Sequence, residues 1–245
     1  FAIRRLLPVG ILALIGVAVW ADKDRSAAIH AQFSSIQTLF ENRPEFRVAL
    51  LSIDGASADL ADAVRMKLAL KLPASSFDLD LDALRQTAES LDAVADATVQ
   101  IRAGGVLRIT LIERQPTVVW RNGNQLEMLD AMGHRVASLH QRSDRADLPL
   151  IVGLGADQLT PEALDILAAA GPITRSVRAL QRMGERRWDL ILDRNQRILL
   201  PEIDPIAALE RALALDQAEN LFARDISAID LRNGARPVLR LAPFA

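Results

Sequence analysis

The sequence predicts an α+β protein: an N-terminal transmembrane helix, a compact β-α-α-β-β module, then a mainly antiparallel β domain with two helices. Three observations predict it. An uncharged apolar run lies near the start of the chain. Between residues 46 and 117 the apolar spacing switches from the strand period to the helical one and back. From 118 onward short alternating runs divided by Gly- and Asn-containing turns dominate, interrupted by two Pro-headed stretches with helical spacing.

The first element is the run LLPVGILALIGVAVWA between Arg5 and Asp22, sixteen residues without a charge. As a helix it spans roughly 24 Å, a little under a hydrocarbon core of about 30 Å, so the flanking arginines would snorkel. Arg4 and Arg5 before it favour a cytoplasmic N-terminus, and Trp20 stands where an interfacial aromatic is expected. The run is also an acceptable apolar region of a cleavable signal peptide, but its length favours an anchor, residues 1–22. The chain starts with Phe, so a cytoplasmic segment is expected to precede it. In residues 23–45, Ile29, Phe33, Ile36 and Phe40 recur at helical spacing, the stripe of an amphipathic stalk helix stopping before Pro44.

Residues 46–117 form the first exported module. RVALLSIDGA reads as a strand ending in an Asp-Gly turn, and Leu60, Val64 and Leu68 mark a helix closed by Pro73. Leu81, Leu84, Ala88 and Leu91 mark a second helix behind an acidic start. Ala97, Val99 and Ile101 then share one face of a strand, Gly104-Gly105 turns the chain, and Leu107, Ile109 and Leu111 occupy the matching face of the return. This order resembles a POTRA domain, a fold of exported proteins that dock other polypeptides.

Residues 118–245 read as the β domain. Asn122-Gly123 and the segment Asp130 to Gly133 turn three antiparallel strands, and LIVGL adds another. Thr160-Pro161 and Asp204-Pro205 each supply an N-cap followed by Pro in the first helical position. VRALQRM, RRWDLILD and RILLPE are strands between the helices. IDLRNGARPVLRLA closes the chain as two strands around an Asn-Gly turn, with Ile229 and Leu231 on one face, Leu239 and Leu241 beyond the turn, and Asp230, Arg232 and Arg240 facing away. A terminal strand of this kind leaves N–H and C=O groups in need of a partner.

Composition removes several functions. Half of the 245 residues are hydrophobic and the net charge is −2, so no broad positive field holds nucleic acid. Without Cys there is no thiol catalysis, disulfide or thiolate metal site. Asp78, Asp80, Asp82 and Glu89 fall at calcium-loop positions, but the required glycine is Ala83 and the leucine stripe demands helix. His30, His134 and His140 lack ligand spacing, no serine stands in a G-x-S-x-G elbow, and no phosphate-binding loop occurs. Glu202 with Asp204 reads as helix capping, and Glu185-Arg186-Arg187 before Trp188 as a strand end with an Arg over Trp, or as part of a partner patch. No cofactor, metal or enzymatic activity is expected.

IERQP, LDAMGHRVA, ERRWDLIL followed by LLPE, and AIDLR, in this order and spacing, resemble the FtsQ/DivIB family of bacterial division proteins, in wording closest to alphaproteobacterial members. The resemblance implies a single-pass inner-membrane scaffold at the septum with its C-terminal domains in the periplasm. In such proteins the last strand of the β domain accepts a strand from the coiled-coil protein FtsB, which travels with FtsL and connects to the peptidoglycan synthase FtsW–FtsI. Carried onto this chain, Asp230, Arg232 and Arg240 supply charge selectivity, and Val238, Leu239 and Leu241 apolar contact. Leu231 and Asn233 complete the segment, and Arg187 joins from the Trp188 strand. The rival expectations are a POTRA-bearing adaptor in secretion or outer-membrane assembly, which normally feeds a β-barrel not suggested here, and a cell-wall enzyme, for which no catalytic constellation was found.

Overall fold

The computed structural model describes residues 46–233 and 236–242. The expected anchor and stalk helix lie outside these residues. Among the described residues no helix is long and apolar enough to cross a membrane. The chain divides into two compact units, one holding residues up to Ala88 and Ala97–Leu111, the other Glu89–Asp96 and Ile112 onward.

In the first unit β1 (Arg47–Val48) pairs with β3 (Ala74–Ser75), a two-residue contact too short to announce itself as a pattern. β2 (Leu50–Asp54), β4 (Val94–Arg102) and β5 (Val106–Glu113) form a three-stranded sheet in the order β2-β5-β4, with β2 parallel to β5. Helix α1 (Ala58–Leu68) is capped by the Ser57 hydroxyl, which accepts from the Leu60 N–H, and it buries Leu60 and Val64. It ends at Ala69 in the left-handed region, four residues ahead of Pro73, so the main-chain cap and not the proline stops it. Helix α2 (Leu81–Glu89) starts on the Asp80 carboxylate, which accepts from the Ala83 N–H at 3.0 Å. Leu91 lies past its end, where the turn into β4 has begun. Leu107, Ile109 and Leu111 are buried at alternate positions of β5, as a half-covered strand requires.

The second unit is built on a nine-stranded sheet, in the order β14-β13-β12-β11-β10-β9-β6-β7-β8. Its strands are β6 (Val118–Asn122), β7 (Gln125–Leu129), β8 (Arg135–Leu139), β9 (Leu150–Val152), β10 (Val177–Met183), β11 (Arg187–Leu192), β12 (Arg197–Leu199), β13 (Ile226–Asp230) and β14 (Val238–Leu241). The sheet is rich in antiparallel pairs, but β6–β9, β9–β10 and β12–β13 run parallel. Local alternation carries no trace of these parallel neighbours, because each is made by a crossover. Helix α3 (Thr160–Ala169) lies between β9 and β10, and α4 (Pro205–Glu219) between β12 and β13. Both crossovers step the same way along the sheet, so a shared right-handed sense sends both helices to one face, and they pack on each other.

That covered face carries the main core. Ile229, Ile198, Leu190, Leu180 and Ile151 stand opposite one another across five strands, all buried, beneath Ala163 and Ile166 of α3 and Ala208, Leu209 and Ala212 of α4. The helix starts depart from the expected caps. The Thr160 hydroxyl donates to the Asp157 carbonyl at 2.8 Å from inside α3, and Asp204 makes no side-chain cap bond to α4.

Candidate functional site

The strand that ends the sheet is β14. Its inner edge is zipped antiparallel to β13, with Asp230 opposite Val238, Ile229 opposite Leu239 and Ala228 opposite Arg240. It stands at the end of the strand order, so among the described residues its outer edge has no strand partner. All four of its side chains are exposed, Val238 by 56%, Leu239 by 43% and Leu241 by 71% among them. Opposed residues share a face. Val238 and Arg240 therefore lie on the uncovered face with Asp230, and Leu239 lies on the helix side with Ile229.

The connection differs from the tight Asn-Gly turn read from the sequence. Pairing begins at Asp230 and Val238, leaving residues 231–237 between the strands. Leu231 is responsible: it is 4% exposed and packs in the main core with Ile229 and Ile198, and its N–H donates to the Leu199 carbonyl at 2.9 Å. Its N–H is thus spent on β12. Leu231, expected from the sequence among the partner contacts, is buried in this structure and anchors the loop from below. Asn233 is exposed, and its carbonyl accepts from the Arg236 N–H.

Asp230 and Arg232 form a clamp. Arg232 Nε donates to Asp230 Oδ1 at 2.8 Å, Nη2 donates to Oδ2, and the Arg232 main-chain N–H donates to Oδ1 at 3.0 Å. The Arg232 side-chain bonds, helped by its main-chain bond, hold the Asp230 carboxyl below its usual range against the opposite pull of burial, and Arg187 adds to the effect from β11. The three residues singled out from two distant stretches of sequence, Arg187, Asp230 and Arg232, therefore share one electrostatic cluster. Arg187 is not the arginine over Trp188. That place is taken by Arg182, 5.0 Å from the ring centroid, while Trp188 Nε1 and Arg182 Nη1 both donate to Glu162 Oε2 of α3, the former at 3.0 Å.

Two members of the cluster escaped the sequence reading. Asp189 and Arg197 project from β11 and β12 to the same uncovered face, where Arg197 favours the ionised form of Asp189. The available signal was an acid at an alternate position of the otherwise apolar WDLIL.

The remaining shared motif residues build a turn. Asp130 Oδ1 accepts the N–H groups of Met132 at 2.9 Å and His134 at 2.8 Å, while Oδ2 accepts from Arg114 Nη1 at 2.7 Å. Gly133 sits at φ +88° where a Cβ would stand 2.2 Å from the Asp157 carbonyl oxygen, so glycine is required by both conformation and space.

Residues 118–232 match the family model described as the cell division protein FtsQ/DivIB, C-terminal. The cell division protein FtsQ of Cereibacter sphaeroides is 52% identical over 244 residues, covering 100% of this chain and 79% of that one. Those of Paracoccus denitrificans and Roseobacter litoralis are 47% and 46% identical, covering 98% and 97% of this chain and 72% and 82% of theirs. The chain belongs to the FtsQ/DivIB family. Cell division is accordingly its process, and its relatives here are alphaproteobacterial, as the wording of the motifs suggested. The matched family span includes Arg187, Asp189, Arg197, Asp230 and Arg232 and runs to the end of the clamp.

Proposed function

We propose that the chain is a bitopic inner-membrane scaffold of the divisome, without catalytic activity or cofactor, that recruits FtsB together with FtsL by β-strand addition to β14. Through them it connects to FtsW and FtsI. The run 6–21 anchors it with the N-terminus in the cytoplasm, the module 46–117 serves as a POTRA domain in the periplasm, and 118–245 is the docking domain. One observation carries this reading: among the described residues the terminal strand is paired on one side and open on the other, with exposed apolar side chains along it. Main-chain hydrogen bonds from such an edge supply affinity and alternate side chains supply selectivity. On the uncovered face Arg240 and the Asp230–Arg232 clamp select charge, and on the helix side Leu239 and Leu241 offer apolar contact.

Proline scanning tests the strand-addition geometry. Of two consecutive residues in an edge strand, one N–H points to the neighbour and the other outward. Leu239→Pro and Arg240→Pro therefore differ: one is expected to break the β13–β14 ladder, the other to leave the fold intact and abolish capture of FtsB in a pull-down. Capture surviving in both variants would remove β14 as the docking edge. Arg232→Glu places two carboxylates at the clamp and is expected to abolish capture as well, and wild-type capture by this variant would remove the clamp from the site.

A further inference from the structure

At the end of the nine-stranded sheet where β9 and β10 both begin, α3 and the connection from β8 to β9 leave between them a groove of about 770 Å³. It lies at the opposite end of the sheet from the Asp230–Arg232 clamp. Along the β10–β11 pair the groove takes Val177, opposite Leu192, whereas Arg187 of the clamp's cluster stands opposite Met183. The floor is apolar. Leu164 and Leu167 of α3, Leu148 and Leu150 at the start of β9, and Val177 of β10 line it, and Ala168 is exposed at its lip. Leu164, Leu167 and Ala168 fall at i, i+3 and i+4, so α3, which buries Ala163 and Ile166 in the main core, turns a second apolar ridge to the groove. The rim is basic. Arg142, Arg175 and Arg178 stand on it, and the one acid among the lining residues, Asp147, is already held by Arg145, whose Nε and Nη2 donate to its two carboxylate oxygens at 3.0 and 2.9 Å. The carbonyls of Arg145 and Leu148 accept from Arg142 and fix it in place. Arg178 has a long contact of 3.8 Å with Asp193, and among the described residues the Arg175 guanidinium has no ion pair or hydrogen-bond partner.

We propose that this groove receives an acidic amphipathic helix of another polypeptide, which lays apolar side chains at i, i+3 and i+4 on the floor and aims carboxylates at Arg142, Arg175 and Arg178. Charge complementarity carries the choice of visitor. In a chain of net charge −2, cations gathered round one apolar recess attract a segment of opposite sign and repel a basic one. The form of the visitor follows from the sheet. β9 and β10 are interior strands with neighbours on both sides, so the groove offers no open edge for strand addition. A helix satisfies its own main-chain groups and needs none. A bilayer surface is too flat to reach a recessed floor. The arginines come from two separate segments, one ahead of β9 and one around the start of β10, which suits carboxylates spread along a helix better than the single headgroup of a lipid. The groove is a second docking site, and it stands whether or not β14 captures FtsB.

Photo-crosslinking of the full chain in the native cell tests the proposal. Benzoylphenylalanine in place of the exposed Ala168 sets a reactive group at the lip of the groove, and mass spectrometry reads what it captures. The expected adduct is a peptide of another protein with apolar residues three and four positions apart, flanked by Asp or Glu. Its yield is expected to fall at least about five-fold when Arg175→Glu and Arg178→Glu are introduced together. Both arginines are exposed, so the doubly reversed chain is expected to fold with the Trp188 emission of the wild type. If that chain does not fold, the adduct on the otherwise unaltered chain decides alone. An adduct with phospholipid, with a second copy of this chain or with a segment lacking the acids overturns the proposal, and so does the absence of any adduct. An undiminished yield on the folded, doubly reversed chain overturns it as well.

Discussion

Asp130 shows how one side chain turns a run of letters into a joint. Burial alone would raise its carboxyl, but the N–H of His134, the Arg114 guanidinium and the N–H of Met132 together hold it below the usual range. Arg114 belongs to IERQP and Asp130 to LDAMGHRVA, so two stretches that the sequence offered as separate family marks are a single ion-paired turn. Both partners are largely buried, with side chains 20% and 14% exposed, which limits solvent screening. Asp130→Ala leaves two main-chain donors and a guanidinium without their acceptor. It is expected to lose about 2–3 kcal/mol in urea unfolding at neutral pH. The sign with pH follows from the depressed value: the contribution is present above the unfolded carboxyl pKa and lost as pH falls through the folded one. The gap between wild type and variant is therefore expected to close in acid, and a gap independent of pH would mean that the carboxylate charge is not what matters. At this scale the sequence was partly legible. It flagged Arg187, Asp230 and Arg232, yet passed over Asp189, because a single acid in an alternating strand looks like an ordinary solvent-facing position until neighbouring strands bury it.

Among the elements, the helices were readable from spacing but their ends were not. Pro73 drew attention as a stop, while α1 had already ended four residues earlier on a left-handed Ala69, a conformation with no obvious letter to announce it. Leu231, expected among the partner contacts, is buried for a different reason. Alternation placed it beside Ile229, which is where it lies, but membership of a contiguous segment suggested contact that its face forbids. Helix α3 is tied to the sheet by Glu162, whose Oε2 accepts both Trp188 Nε1 and Arg182 Nη1. Removing that acceptor leaves a buried indole N–H and an arginine stacked on the ring without their shared anchor. Glu162→Ala is therefore expected to cost about 1–2 kcal/mol and to change Trp188 fluorescence in the folded state. An unchanged emission spectrum would show that the α3 contact does not fix the ring.

Across the whole molecule, alternation and turn letters located the strands, and the Pro-headed stretches located both helices of the second unit. The order of those strands was illegible, since the parallel contacts β6–β9, β9–β10 and β12–β13 join segments far apart in the chain and impose no local pattern. The consequence falls on the margin. β13 is rooted by Ile229 and Leu231 in the core and by its parallel bond to β12, whereas β14 contributes no buried side chain at all. On our proposal that β14 is the docking edge, deleting residues 236–245 is expected to shift the unfolding midpoint little while ending capture of FtsB, and a large loss of stability would refute this. With β14 as the docking edge we propose, the fold keeps its hook outside its foundations: natural selection can rewrite the last few letters to suit a changing companion, or a nick can silence them, while the rest of the building stands.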